Sequence, residues 1–277
     1  MEKKKKKGGG FTTFLLVLIF VAGLSLMLYP TFSNYWNSLH QTRVIASYAE
    51  EVANMNDEEY TEIWQAARDY NNEILSRRNP YVLPDEKRAT YESLLNIGGS
   101  GIMGYVEIPS IEVTLPIYHG TSDAVLQVAS GHLEWTSLPV GGSSTHTVLS
   151  GHRGLPSAKL FTDLDELREG DVFMLRVLDE VLTYEVDQIL IVLPTDTENL
   201  QIVGGKDYCT LTTCTPYGIN THRMLVRGHR IETEEQQVMF VRVAADAVRV
   251  EPMVVAAIVG IILLILYPLL MPRKWRL

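Results

Sequence analysis

Hydrophobic and polar positions fall into four regimes along the chain. Residues 11–29 form an apolar run of about 19 residues without a charge, the length that crosses a bilayer core. Residues 31–76 read as helix. Within them Asn56 and Asp57 followed by Glu58 and Glu59 mark a helix start, after which Tyr60, Ile63, Trp64, Ala67, Tyr70 and Ile74 recur at i, i+3, i+4 spacing as one apolar stripe. Residues 77–100 lose the period. Pro80 and Pro84 disfavour helix before them, a short helix is expected over 85–95, and residues 96–101 (NIGGSG) make a joint. From residue 102 to 231 the pattern becomes alternating short runs, at 104–109, 111–117, 147–150, 172–178 and 182–192, with two more flanking Cys214. Pro and Gly punctuate them closely, which predicts seven or eight strands in an all-β barrel or sandwich, not βαβ units. Residues 160–167 read as a short helix within this set. Residues 232–250 can be helical, and a second apolar run follows at 253–271.

The organisation expected from this pattern is a basic tail (1–10), a membrane helix (11–29), an extracellular helical region (30–76), a cover segment with its hinge (77–100) and a β-barrel (101–231). A helical linker (232–252), a second membrane helix (253–271) and a basic tail (272–277) complete it. Lys3 to Lys7 precede the first apolar run, and Arg273, Lys274 and Arg276 follow the second; positive flanks place both termini in the cytoplasm and the barrel outside. Leu26, Met27, Leu28, Tyr29 and Pro30 make a poor cleavage site, so the first run reads as an anchor, not a removed signal peptide.

Charge narrows the partners. The two ends hold eight of the 24 Lys and Arg residues and one of the 33 acidic ones, leaving residues 30–252 with a formal charge near −16. Nucleic acid is excluded as a partner, because phosphate binding needs a basic face.

The chain has two cysteines, Cys209 and Cys214, five apart in what reads as one strand. Along a strand their Cα atoms would stand about 16 Å apart on opposite faces, whereas a disulfide needs less than about 7 Å. Cys214 is therefore expected as a free thiol outside the cell, at a strand end before a Pro-Tyr-Gly turn. A thiol there serves as nucleophile if a base or cation favours the thiolate. Of seven histidines, His152 has the most suitable setting, between two glycines just past a buried strand. Arg223 and Arg227 share a strand face, and Arg223 stands nearer the turn that leaves Cys214. There is no P-loop, no GxGxxG after a strand, no HExxH and no zinc spacing.

At TLTTC (210–214) followed by TPYGINTHR (215–223) the sequence resembles the sortase signature, and specifically that of the pilin-polymerising class C sortases. Residues 108–121, 131–142, 145–167 and 182–189 carry the same resemblance. It implies a closed eight-stranded β-barrel on a Gram-positive cell surface. It assigns Cys214 as nucleophile, His152 as general acid and base, and Arg223 as the cation that binds substrate and stabilises the oxyanion. Thr213, beside the thiol, is expected on the substrate side. The implied partners are pilin subunits with Leu-Pro-x-Thr-Gly-like sorting signals and a pilin lysine as acceptor, with no metal or organic cofactor. The same chemistry would serve a sortase that anchors proteins to the cell-wall precursor, and an idle barrel would be a sorting-signal adaptor. Class C sortases often carry a lid with an Asp-Pro-aromatic motif. Here the place reads Asn79-Pro80-Tyr81, so Tyr81 is left as the plug and Asn79 lacks the charge to pair with Arg223.

Overall fold

The computed structural model describes residues 9–77 and 82–233, together with Gly260. The lid residues Asn79 and Tyr81, the linker expected over 232–252 from residue 234 on, and the second apolar run apart from Gly260 lie outside the described residues.

Helix α1 (Gly9–Ala53) takes in the first apolar run and continues through Pro30 for a further 23 residues. It is long and apolar enough to cross a membrane, by length and composition. Its later turns are polar on one side and dock on the barrel. Asn34 Oδ1 accepts from the Lys159 amide at 2.7 Å, and Asn37 Nδ2 donates to the Ser157 carbonyl at 2.7 Å. Further along, the buried Tyr48 hydroxyl donates to Met103 O and accepts from Leu178 N. Helix α2 (Asp57–Leu75) starts where the sequence signal places it: Asn56 caps it by accepting from Glu59 N. Its stripe is buried at Ala67, Tyr70 and Ile74, and Asn71 exchanges two hydrogen bonds with the backbone of Leu138. Helix α3 (Asp85–Ser93) is pinned by Tyr91, whose buried hydroxyl meets His132 Nδ1 and accepts from Gly120 N.

The barrel has eight strands: β1 (Ile102–Ile108), β2 (Val113–His119), β3 (Ser130–His132), β4 (Thr145–Ser150), β5 (Val172–Val177), β6 (Glu180–Val192), β7 (Asp207–Thr215) and β8 (His222–Ile231). It closes in the order β1-β2-β3-β4-β7-β8-β6-β5. Two pairings are parallel, β2 with β3 and β4 with β7; the others are antiparallel. Leu149, Phe173, Leu175, Leu211 and Val226 belong to the central core, each at 0 % exposure. Burial of such a side chain stabilises the fold by about 1.5–3 kcal/mol.

One local reading needs correcting, and one short element went unpredicted. Residues 160–167 are not a helix: only a 3-10 turn at Leu164–Glu166 forms, and Leu160 takes φ 43°, left-handed backbone that cannot continue a right-handed helix. A one-turn helix α4 (Asp123–Leu126) occurs instead between β2 and β3, with Ser122 as its cap.

Candidate active site

Strand alternation divides β7 into two sets of side chains. Cys209 and Leu211 are buried in the core, so Tyr208, Thr210, Thr212 and Cys214 lie on the outer face. Strand β8 runs antiparallel beside it with Cys214 directly opposite Arg223, and directly opposed residues share a face. On the other side β4 runs parallel to β7 in unbroken register from Thr145↔Asp207 to Ser150↔Thr212. Past the end of β4 the two chains stay joined: Gly151 N donates to Thr212 O at 3.1 Å, and Thr213 Oγ1 donates to Gly151 O at 2.8 Å. The ladder ends at Ser150↔Thr212, and His152 and Cys214 each lie two residues beyond that last pair. The outer face thus carries Cys214 and Arg223 as directly opposed neighbours, with His152 on the chain that leaves the adjoining strand.

The loop that follows His152 is held from several sides. Phe161 N donates to the His152 carbonyl at 3.1 Å. A Cβ at Gly151 would come within 2.5 Å of the Phe161 ring, so only glycine lets the ring pack there. Gly154, at φ 74°, lies so close to Tyr217 that a Cβ would meet that ring at 2.8 Å. Arg153 pairs with Asp165, and its Cζ lies 5.7 Å from the Tyr217 ring centroid. The β4–β5 and β7–β8 loops are therefore in contact beside the thiol, with Asn34 and Asn37 of α1 bracing the first of them.

The two arginines that share the outer face have different partners. Arg227 is bidentate to Asp187 at 2.9 and 3.1 Å and stacks over Tyr208. Arg223 donates to the carbonyls of His222 and Asn220, and among the described residues no carboxylate pairs with it. Its charge is not matched by a carboxylate among the described residues, whereas that of Arg227 is neutralised by Asp187. Thr213, expected on the substrate side, is 2 % exposed, and its hydroxyl is engaged by Gly151.

Both thiols are free. Burial, with the charge of Asp207 adding to it, pushes the Cys209 thiol well up, which leaves it protonated and inert. Cys214 is partly exposed. His132 and His146 are structural: burial drives each down to about 4, and both ring nitrogens of each are engaged. Among the described residues no group of three or more His, Cys, Asp or Glu side chains is arranged to hold a metal.

Sequence reasoning missed the buried apolar cluster that adjoins this row. Val148, Leu200 and Leu225 form a second apolar cluster with Leu133, Trp135, Leu190 and Val192. Val148 pairs with Thr210 and Leu225 with Thr212, so the cluster shares the face of Cys214. The alternation of β4 and β8 carried a signal for it; the contribution of Leu200, from the loop after β6, did not.

A closed barrel with a free, partly exposed thiol near a strand end, opposite a guanidinium on one neighbouring strand and next to the strand that leads to a histidine on the other, has the make-up of a cysteine acyltransferase. The chain belongs to the sortase family, whose members are cysteine transpeptidases: the Sortase domain model matches residues 106–231. The crystal structure of sortase C1 from Streptococcus agalactiae is 51 % identical, with TM-score 0.68, covering 69 % of this chain and 100 % of that one. A sortase C from Clostridium perfringens, solved with its C-terminal cell wall sorting motif, is 46 % identical, with TM-score 0.61, covering 69 % of this chain and 99 % of that one. Sortase A of Streptococcus agalactiae serotype III is 28 % identical over 165 residues, which span 57 % of this chain and 66 % of that protein.

Proposed function

We propose that this chain is a membrane-anchored cysteine transpeptidase that joins pilin subunits. The observation that supports the reading is the β4–β7–β8 register, which pairs Cys214 with Arg223 and runs to Ser150↔Thr212, two residues before His152 and Cys214. Sequence identity of 46–51 % to class C structures, one of them solved with a sorting motif, supports the pilin class of substrate.

In this reading Cys214 Sγ attacks the Thr carbonyl of a Leu-Pro-x-Thr-Gly-like signal. The carbonyl oxygen becomes an oxyanion against the Arg223 guanidinium. The imidazolium of His152 gives its proton to the departing glycine amine, leaving a thioester on Cys214 and a neutral His152. A pilin lysine amine then attacks the thioester, His152 takes its proton, and an isopeptide bond forms as the thiolate leaves. The partly exposed Leu133, Trp135, Leu190 and Val192, packed against Val148 and Leu225, suit the Leu-Pro end of the signal. Both termini lie in the cytoplasm, and α1 carries the barrel on the outer side of the membrane. In the expected lid, Asn79-Pro80-Tyr81, the sequence offers no acid to pair with Arg223.

The test is to incubate the full chain in detergent with a sorting-signal peptide and purified pilin subunits. Mass spectrometry should find a Thr-to-lysine isopeptide bond, absent with Cys214→Ala. Product that persists in that variant would refute the catalytic assignment. Transfer to a cell-wall precursor but to no pilin lysine would refute the polymerising role.

A further inference from the structure

Two polar groups at the end of α2 are buried without acceptors. The Arg77 side chain is 8 % exposed, and none of its three guanidinium nitrogens has a hydrogen-bond partner among the described residues. Its Cζ lies 4.8 Å from the Tyr70 ring centroid, and the Tyr70 hydroxyl is likewise buried and unpaired. The Glu73 carboxylate is no substitute. It stands 4.0 Å from Arg77, is 41 % exposed, and is engaged by Lys87 at 3.1 Å. A guanidinium withheld from both water and an acceptor is costly. An oxyanion that reached it would recover much of that.

Arg77 borders a cavity of about 260 Å³ whose wall also includes Trp135, Ser144, His146 and Leu200. His146 is neutral and has both nitrogens occupied, so Arg77 supplies the cavity's positive charge. This cavity adjoins the apolar cluster that lies on the face of Cys214. Trp135 and Leu200 belong both to its wall and to the apolar cluster that holds Val148 and Leu225. His146 shares the outer face of β4 with Val148 and Ser150, and His152 lies six residues further on. Six strand positions span about 20 Å, the reach of an extended peptide of about six residues.

We propose that this cavity is a carboxylate subsite for the donor polypeptide, receiving an Asp or Glu side chain about six residues N-terminal to the cleaved bond. The direction follows from the apolar cluster: it lies between cavity and thiol, and the apolar residues of the sorting signal precede the cleaved bond. The planar guanidinium fork suits a carboxylate, which it can grip through two parallel hydrogen bonds. The inference rests on the transpeptidase reading, and its test separates the two.

Matched donor peptides, otherwise uncharged, carry Glu or Gln six residues before the Thr–Gly bond and are given to the full chain in detergent. The Glu peptide should be cleaved with about tenfold higher kcat/KM, the difference residing in KM, as a hydrogen-bonded charge contact predicts. Arg77→Gln should abolish the preference and Arg77→Lys keep part of it. Equal rates for the two peptides with the unaltered protein would overturn the subsite, whatever the variants do, and so would an undiminished preference in Arg77→Gln. If neither peptide is cleaved, the transpeptidase reading fails. Binding of the same peptides to Cys214→Ala, by fluorescence polarisation, then decides the subsite alone: about tenfold tighter binding of the Glu peptide upholds it and equal binding overturns it.

Discussion

Cys214 and Cys209 differ in little but the face of β7 on which they stand, and that difference sets their chemistry. Cys214 is partly exposed on the outer face, while Cys209 is sealed in the core with its thiol pushed up. Iodoacetamide on the native protein should therefore modify Cys214 and spare Cys209, with peptide mapping as the readout. The arginines divide in the same way. Arg223→Ala should lower kcat by about 10²–10³ with little effect on the melting temperature, as loss of an oxyanion donor does. Arg227→Ala should do the reverse, because it strands Asp187 and strips the Tyr208 ring. Much of this was readable in the sequence: five-residue spacing ruled out a disulfide, and closeness to the turn favoured Arg223. The engagement of Thr213 with Gly151 was not, because it depends on a chain that lies 62 residues away.

The elements that hold His152 in place come from distant parts of the chain. Asn34 and Asn37 of α1 hold the loop at residues 157–159, and each hydrogen bond contributes about 1 kcal/mol net. Replacing both with Ala should speed amide hydrogen exchange over residues 154–161 and lower kcat, while leaving the exchange of β5 and β6 unchanged. At the lid, Tyr81→Ala should speed alkylation of Cys214; an unchanged rate would remove Tyr81 as its cover. Local signals served well where they were strong, as at the Asn56 cap and the alternating runs of β1, β2 and β6. They failed at β3, which has three residues, too few for an alternation to register. They failed also at 160–167, where the helical spacing of Leu160, Leu164 and Leu167 is overridden by the left-handed backbone of Leu160. The parallel pairing of β4 with β7, which makes the site, leaves no local mark at all.

Across the whole molecule, two neutral histidines tie the barrel to what surrounds it. His132 joins β3 to α3 through Tyr91, and His146 joins β4 to β7 and to the loop after β6. Burial lowers both to about 4, below the ordinary value of 6.5. Between those values the unfolded chain takes up protons that the folded one refuses, so stability is intact above pH 6.5 and falls as pH drops towards 4. The loss should amount to a few kcal/mol, on the order of 1.4 kcal/mol per pH unit per group at most. Urea midpoints at pH 7 and pH 5 should show it, and His146→Gln should narrow the gap between them. At this scale an all-β barrel or sandwich was legible from alternation and helix α1 from the first apolar run, while closure of the barrel was implied only by the family resemblance. Strand order was not legible, since closure depends on pairings between remote segments.

The measurement closest to the central claim is intact-protein and peptide mass spectrometry of the full chain, quenched in acid during turnover of a sorting-signal peptide. A thioester adduct of the donor, truncated after Thr and located on Cys214, is the predicted result. It should be released by hydroxylamine and accumulate when no lysine acceptor is supplied. Cleaved donor with no adduct on Cys214, or an adduct on any other residue, would contradict the account.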